Sequence, residues 1–133
     1  MNPNQEQFAS KLRLIQTSKV GAASNFVPRG AVLKGDLEAQ EDLSMRIEGN
    51  YTGTIDMKEG GFLHIGASAV INCESIAADF IYVEGTVQGN IHARKAIEIA
   101  PSARIKGKVC YDQDMDFHAG ARVTGTLQGP ADA

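Results

Sequence analysis

The side chains able to do chemistry in this 133-residue chain are few and scattered. Three histidines, His64, His92 and His118, offer zinc ligands or a general base. Two cysteines, Cys73 and Cys110, stand 37 residues apart, which is not a metal-ligand spacing. Two thiols without a disulfide framework read as a protein of a reducing cytoplasm. No Ser–His–Asp or Cys–His pairing can be argued from spacing. The glycines do not open a helix whose N-terminus would cradle a phosphate. Whether any of these groups meet depends on the elements that carry them.

Those elements repeat. Gly35, Gly53, Gly89, Gly107 and Gly125 fall in one column at a spacing of eighteen residues, and Ile71 is the one non-glycine member. Around them the chain reads apolar-x-Gly-x-apolar: LKGDL (33–37), YTGTI (51–55), VQGNI (87–91), IKGKV (105–109) and VTGTL (123–127). Ten residues after each member come Met45, Leu63, Ile81, Ile99 and Phe117. Two further on come Ile47, Ile65, Val83, Pro101 and Ala119, and then the small residues Gly49, Ala67, Gly85, Ala103 and Ala121. Inward and polar positions alternate with a period of two, which is strand geometry with one buried face. A fixed short period without a helical pattern predicts an all-β fold, a single-stranded parallel β-helix with one turn per eighteen residues.

This coil spaces the chemistry apart. His64 and His118 share an outward column three turns apart, on the order of 14 Å, too far for one metal. His92 lies in another column. All three read as surface histidines, and no catalytic, cofactor or metal site is expected. Cys73 counts with Ile55, Ile91 and Val109 as a small buried apolar residue. Cys110 faces outward as a crosslinking handle. Asp79 has inward parity, which is costly if buried, and so is expected at a corner or loop. The competing architecture is the left-handed hexapeptide β-helix of trimeric acyltransferases, also about eighteen residues per turn. Ile105, Tyr111, Phe117 and Val123 keep a six-residue rhythm, but Ser75 and Ala93 weaken it against the period-two runs.

Residues 1–30 stand outside the repeat and read as a flexible tail, 31–129 as the solenoid, and 130–133 as a short exposed end. The tail carries Lys11, Arg13, Lys19 and Arg29 against Glu6, while the chain as a whole is at −3, a balance that argues against a nucleic-acid partner. Its apolar cluster is threaded with cations: Phe8, Lys11, Leu12, Arg13, Leu14 and Ile15 form a candidate contact for an anionic membrane surface, strengthened by avidity in a polymer. No signal-peptide pattern opens the chain, and it contains no run of about 18 apolar residues. Neither tail supplies a bulky cap, although Phe26 and Val27 are placed to cover the first turn. The end groups are therefore candidate self-contacts: Leu33, Leu37, Leu43, Met45 and Ile47 at one end, Met115, Phe117, Val123 and Leu127 at the other. Contacts between unlike ends that do not close a ring give a filament.

The phrases VEGTVQGNI (83–91) and IEGNYTGTI (47–55), with GARVTGTLQG (120–129) and VLKGDL (32–37), resemble the bactofilins over residues 31–129. The resemblance implies a right-handed β-helix with a triangular apolar core. It implies nucleotide-free, non-enzymatic assembly into bacterial cytoskeletal filaments in the cytoplasm, often held at the inner membrane by the N-terminal tail. The chain's partner is then itself, with cell-wall enzymes, shape factors or polarity proteins carried on the scaffold. An aromatic residue at the C-terminal end of the family's core is associated with polymer contacts, and Phe117 matches that placement. Two departures stand out. The third turn has Ile71 for glycine and places Gly61 and Asp79 in an apolar column with Leu43, Ile97 and Met115. Residues 8–15 match no anchor motif closely.

Overall fold

The structure, a computed structural model, describes residues 25–39, 44–58 and 60–130. Ten strands follow one another: β1 (Asn25–Val27), β2 (Val32–Ala39), β3 (Ser44–Ile47), β4 (Asn50–Met57), β5 (Phe62–Ile65), β6 (Val70–Val83), β7 (Thr86–Ile99), β8 (Arg104–Tyr111), β9 (Asp114–Phe117) and β10 (Arg122–Gln128). Every pairing is parallel, and the strands stack as a β-solenoid of about five turns. No helix among the described residues is long and apolar enough to cross a membrane.

Two walls result. A glycine wall stacks β2, β4, the first part of β6, the first part of β7, β8 and β10. A second wall stacks β1, β3, β5, the ends of β6 and β7, and β9. Strand β1 thus joins the sheet upstream of Ala31. Alternate residues of both walls are buried in one apolar core, which gathers Ile55, Ile71, Ile76 and Ile91 of the glycine wall with Leu63, Ile65, Ile81 and Ile97 of the second. No turn could bury this surface alone; stacking makes it continuous.

The eighteen-residue period is an average. Val27, Ile47, Ile65, Val83, Ile99 and Phe117 form one column, so successive turns take 20, 18, 18, 16 and 18 residues. The variation arises at corners. Residues 66–69 link β5 to β6, but only Glu84 and Gly85 link β6 to β7. Several expected columns are corrected accordingly. Ile81 stands beside Ile97 and Met115, while Ile99 and Phe117 belong with Val83. Pro101 and Ala119 leave that column for exposed corners. Asp79 and Gly61 do not share the Ile97 column, and Leu43 lies outside the described residues. The small corner column runs Ala31, Gly49, Ala69, Gly85, Ala103 and Ala121, each carbonyl but the last accepting an N–H from the next turn. Ala69, not Ala67, is its third-turn member.

The glycine column is corrected too. Gly53 pairs with Cys73, and Cys73 with Gly89, while Ile71 sits between Tyr51 and Val87 in the core. Gly53, Gly89, Gly107 and Gly125 have φ between 138 and 141°, a region that excludes side chains. Cys73 does not have positive φ. Instead the ladder slips there: Gly53 opposes Cys73 but Thr54 opposes Ser75, leaving Glu74 as an extra bulged residue. A bulge in the third turn makes the bend that glycine makes elsewhere.

Candidate assembly surfaces

Each end of the coil presents strand edges without a partner among the described residues. At the C-terminal end β10 pairs only with β8, and β9 only with β7. Phe117 is 41% exposed and Leu127 50%, while Met115 and Val123 are half-buried against the core. At the N-terminal end β2 pairs only with β4; Leu33 is 43% exposed and Leu37 half-buried. Met45 and Ile47 are buried, because β1 pairs along β3 and extends their columns by one turn. They are core residues and present no end surface in this structure. Leu43 and the candidate membrane residues Phe8, Lys11, Leu12, Arg13, Leu14 and Ile15 lie outside the described residues.

Glycine geometry gives the ends a direction. A Cβ added to Gly53, Gly107 or Gly125 would collide with the carbonyl oxygen of the residue one turn earlier in its column. At Gly35 it would meet nothing, since among the described residues no strand stacks before β2 in the glycine wall. The space that the other glycines keep for a neighbouring strand is open at this edge.

The polar groups are more connected than the sequence suggested. His64 and His118 are buried, and only His92 is a surface histidine. The sixteen-residue turn separates the first two: His64 stands in the column Arg46, His64, Tyr82, Glu98, Asp116, whereas His118 lies in the corner after β9. His64 Nε2 is 2.6 Å from Glu84 Oε1, and its ring stacks on Tyr82 with centroids 5.1 Å apart. Burial, with Glu84 and Glu98 nearby, pushes the Tyr82 phenol well above its ordinary pKa. His118 Nε2 is 2.6 Å from Glu98 Oε2 and 3.6 Å from Asp116 Oδ2. Ligand-type atoms of these three residues lie within 4.8 Å of one another, a set that could hold a divalent cation. The eighteen-residue repeat already places Glu98 and Asp116 in one column; the set is missed when His118 is weighed only against the other histidines.

Asp79 sits at a second register break, between Ala78 and Phe80 where β6 bends, and is buried rather than solvated. It accepts the N–H of Gly60 at 2.7 Å and Arg94 Nε–H at 2.8 Å, with Lys95 Nζ at 3.6 Å. Arg94 also donates to the Met57 carbonyl. Burial alone would raise the Asp79 pKa, but the Gly60 N–H and the two cations outweigh it and hold the carboxyl below its ordinary range. The group ties three successive turns at one corner, a structural task. His92 and Cys110 are neighbours across β7 and β8, yet the imidazole bonds Asp112 at 2.9 Å and the thiol is directed at Gln128 Oε1, 3.9 Å away. Cys73 is buried as expected, but in the glycine column.

Compared with known proteins, the chain matches the family model of the bactofilins, described as polymer-forming cytoskeletal, over residues 25–128. The match begins at the first residue of β1 and ends at the last of β10. No curated protein and no solved structure matches the chain significantly.

Proposed function

The chain belongs to the bactofilin family, and from that premise we propose that it assembles end to end, without nucleotide, into filaments that scaffold cell-shape, cell-wall or polarity factors. The observation that carries this reading is the pair of open parallel edges, each set with exposed apolar groups: Leu33 on β2, Phe117 and Leu127 on β9 and β10. Burying such groups and pairing the edges drives association. Head-to-tail stacking continues the columns: Val123 would meet Leu33 of the next copy, Gly125 its Gly35, and Leu127 its Leu37. Residues 8–15 are proposed as the contact that brings filaments to the anionic inner face of the membrane, tested by co-pelleting with anionic vesicles.

Negative-stain electron microscopy in buffer free of nucleotide and metal is the test. Long filaments are expected, and uniform small particles would overturn the reading in favour of a capped monomeric adaptor or a closed trimer of the hexapeptide type. Phe117→Arg places a charge at the C-terminal end and is expected to leave short soluble species; unchanged filaments would remove Phe117 from the contact. Orientation is read by mixing a Leu127→Cys chain with a Leu37→Cys chain. A disulfide between the two supports head-to-tail stacking, and one between two Leu127→Cys chains overturns it for a like-end arrangement.

A further inference from the structure

In its middle turns the second wall is buried on both faces. Its inward residues fill the core, but its outward residues are hidden as well: Phe62 is 1% exposed, His64 and Tyr82 are 0%, and Ala96 and Ala100 are also buried. Phe62, Tyr82, Ala96 and Ala100, with Phe80 packed against them, form an apolar cluster of their own, separate from the core. Outward residues of the glycine wall at the same turns, such as Thr52, Asn72, Gln88 and Lys106, are exposed. A sheet hidden on both faces has something packed on each.

The described strands do not supply that cover. All ten are walls of the coil, and their contacts run between strands stacked one turn apart. Of the remaining chain, residues 40–43 and 59 are too short to span three strands spaced about 4.8 Å apart. Residues 131–133 follow Gly129, which lies against the Tyr111 side chain of β8. Residues 1–24 have both the length and the starting point. They precede Asn25, which pairs with Met45 at the edge of this same wall. Their composition also fits. Phe8, Leu12, Leu14 and Ile15 match the aromatic cluster. Lys11, Arg13 and Lys19, against Glu6 alone, match a rim that carries the partly exposed carboxylates Glu84 and Asp116.

We propose that residues 1–24 of the same chain dock on the outward face of this wall, seating the apolar residues of 8–15 against Phe62, Phe80 and Tyr82. The inference stands apart from filament formation. It gives the proposed membrane contact a competing occupant, since the same apolar residues cannot bury on the wall and in a lipid surface at once.

The test uses the full chain with Phe80→p-benzoylphenylalanine, in an equal mixture of isotopically light and heavy protein, without lipid. Irradiation is expected to crosslink position 80 to residues 1–24, chiefly 8–15, in same-isotope pairs. Crosslinks only to residues 25–130, or only mixed-isotope pairs, would overturn the proposal, the latter assigning the cover to a second copy. In parallel, Leu12→Asp with Ile15→Asp is expected to raise the fluorescence of a hydrophobic dye several-fold while the β-sheet circular dichroism is retained. A fold that keeps its spectrum and binds no more dye than the wild type would equally defeat it.

Discussion

The glycine wall and the second wall share one core, yet they treat their outer faces in opposite ways. In β4 the burial alternates, Tyr51 and Ile55 in, Thr52 and Asp56 out. In β5 all four residues, Phe62 to Ile65, are buried. The difference is written in local composition. YTGTI and IKGKV keep polar residues between the apolar ones, whereas FLHI, FIYV and AIEIA are nearly continuous apolar runs. Repeat spacing determines which residues face the core; the residues between them determine whether the other face meets water or another segment.

The largest effect should come from filling the glycine column inside the glycine wall. Gly107→Ala forces an L-residue to φ 140° and drives its Cβ into the Gly89 carbonyl. A loss of about 3 kcal/mol or more is expected in urea unfolding, from strain and collision together. Gly35→Ala has the same backbone conformation, φ 136°, but open space, and should cost only the strain, about 1–2 kcal/mol. Equal losses at the two positions would mean that the strand-to-strand contact does not set the column.

The next contrast lies between outer faces. Phe62→Ala removes a fully buried ring from the second wall and should cost about 3 kcal/mol. Lys106→Ala, outward on the glycine wall, should stay within about 0.5 kcal/mol. If both are silent in thermal and urea unfolding, the second wall is not covered in solution and the comparison between walls fails.

Most of the fold was legible because the repeat is strong and the slips are small. The misassigned columns, Ile81 with Ile99 and Ile71 for Cys73, were displaced by two residues. With a side-chain period of two, such a slip leaves the inward face unchanged. Corner length carries no periodic signal, so the lengths of residues 66–69 and 84–85 could not be read. The histidines show the cost of that gap. Their outward parity suggested solvent, but the apolar residues flanking His64 in FLHI were the available sign of a buried outer face. The end residues were visible by type, while the burial of Met45 and Ile47 depended on β1, whose three residues are too few to show a period.

Asp79 offers a smaller, pH-dependent test of the corner where the two walls meet. Its folded pKa lies below the ordinary value of about 3.9, so its stabilisation is present above that pH and lost as pH falls through the folded value. Asp79→Asn keeps the shape, removes the charge facing Arg94 and Lys95, and should cost on the order of 2 kcal/mol at pH 7. The gap between the two proteins should narrow as the pH is lowered from about 4 toward 2. A gap independent of pH would show that packing, not the ion pairs, holds the corner.

The smallest effect concerns reactivity rather than stability, and probes the one turn where the glycine wall lacks its glycine. Burial pushes the Cys73 thiol up to about 11, against a smaller opposing contribution from the Gly53 backbone hydrogen bond. At pH 8 its thiolate fraction should be at least about 100-fold below that of an ordinary thiol. Cys110 is half-buried rather than buried, so a reagent reaches it without unfolding. A thiol-disulfide reagent should therefore modify one cysteine per native chain rapidly and the second only on unfolding, with peptide mapping assigning the fast site to Cys110. Glu74 decides what that result means. If its bulge closes the third turn as tightly as glycine closes the others, Cys73 stays protected in the folded chain. If Cys73 reacts at a rate near that of Cys110 while the protein remains folded, the bulge is a loose substitute and the glycine wall opens at its third turn.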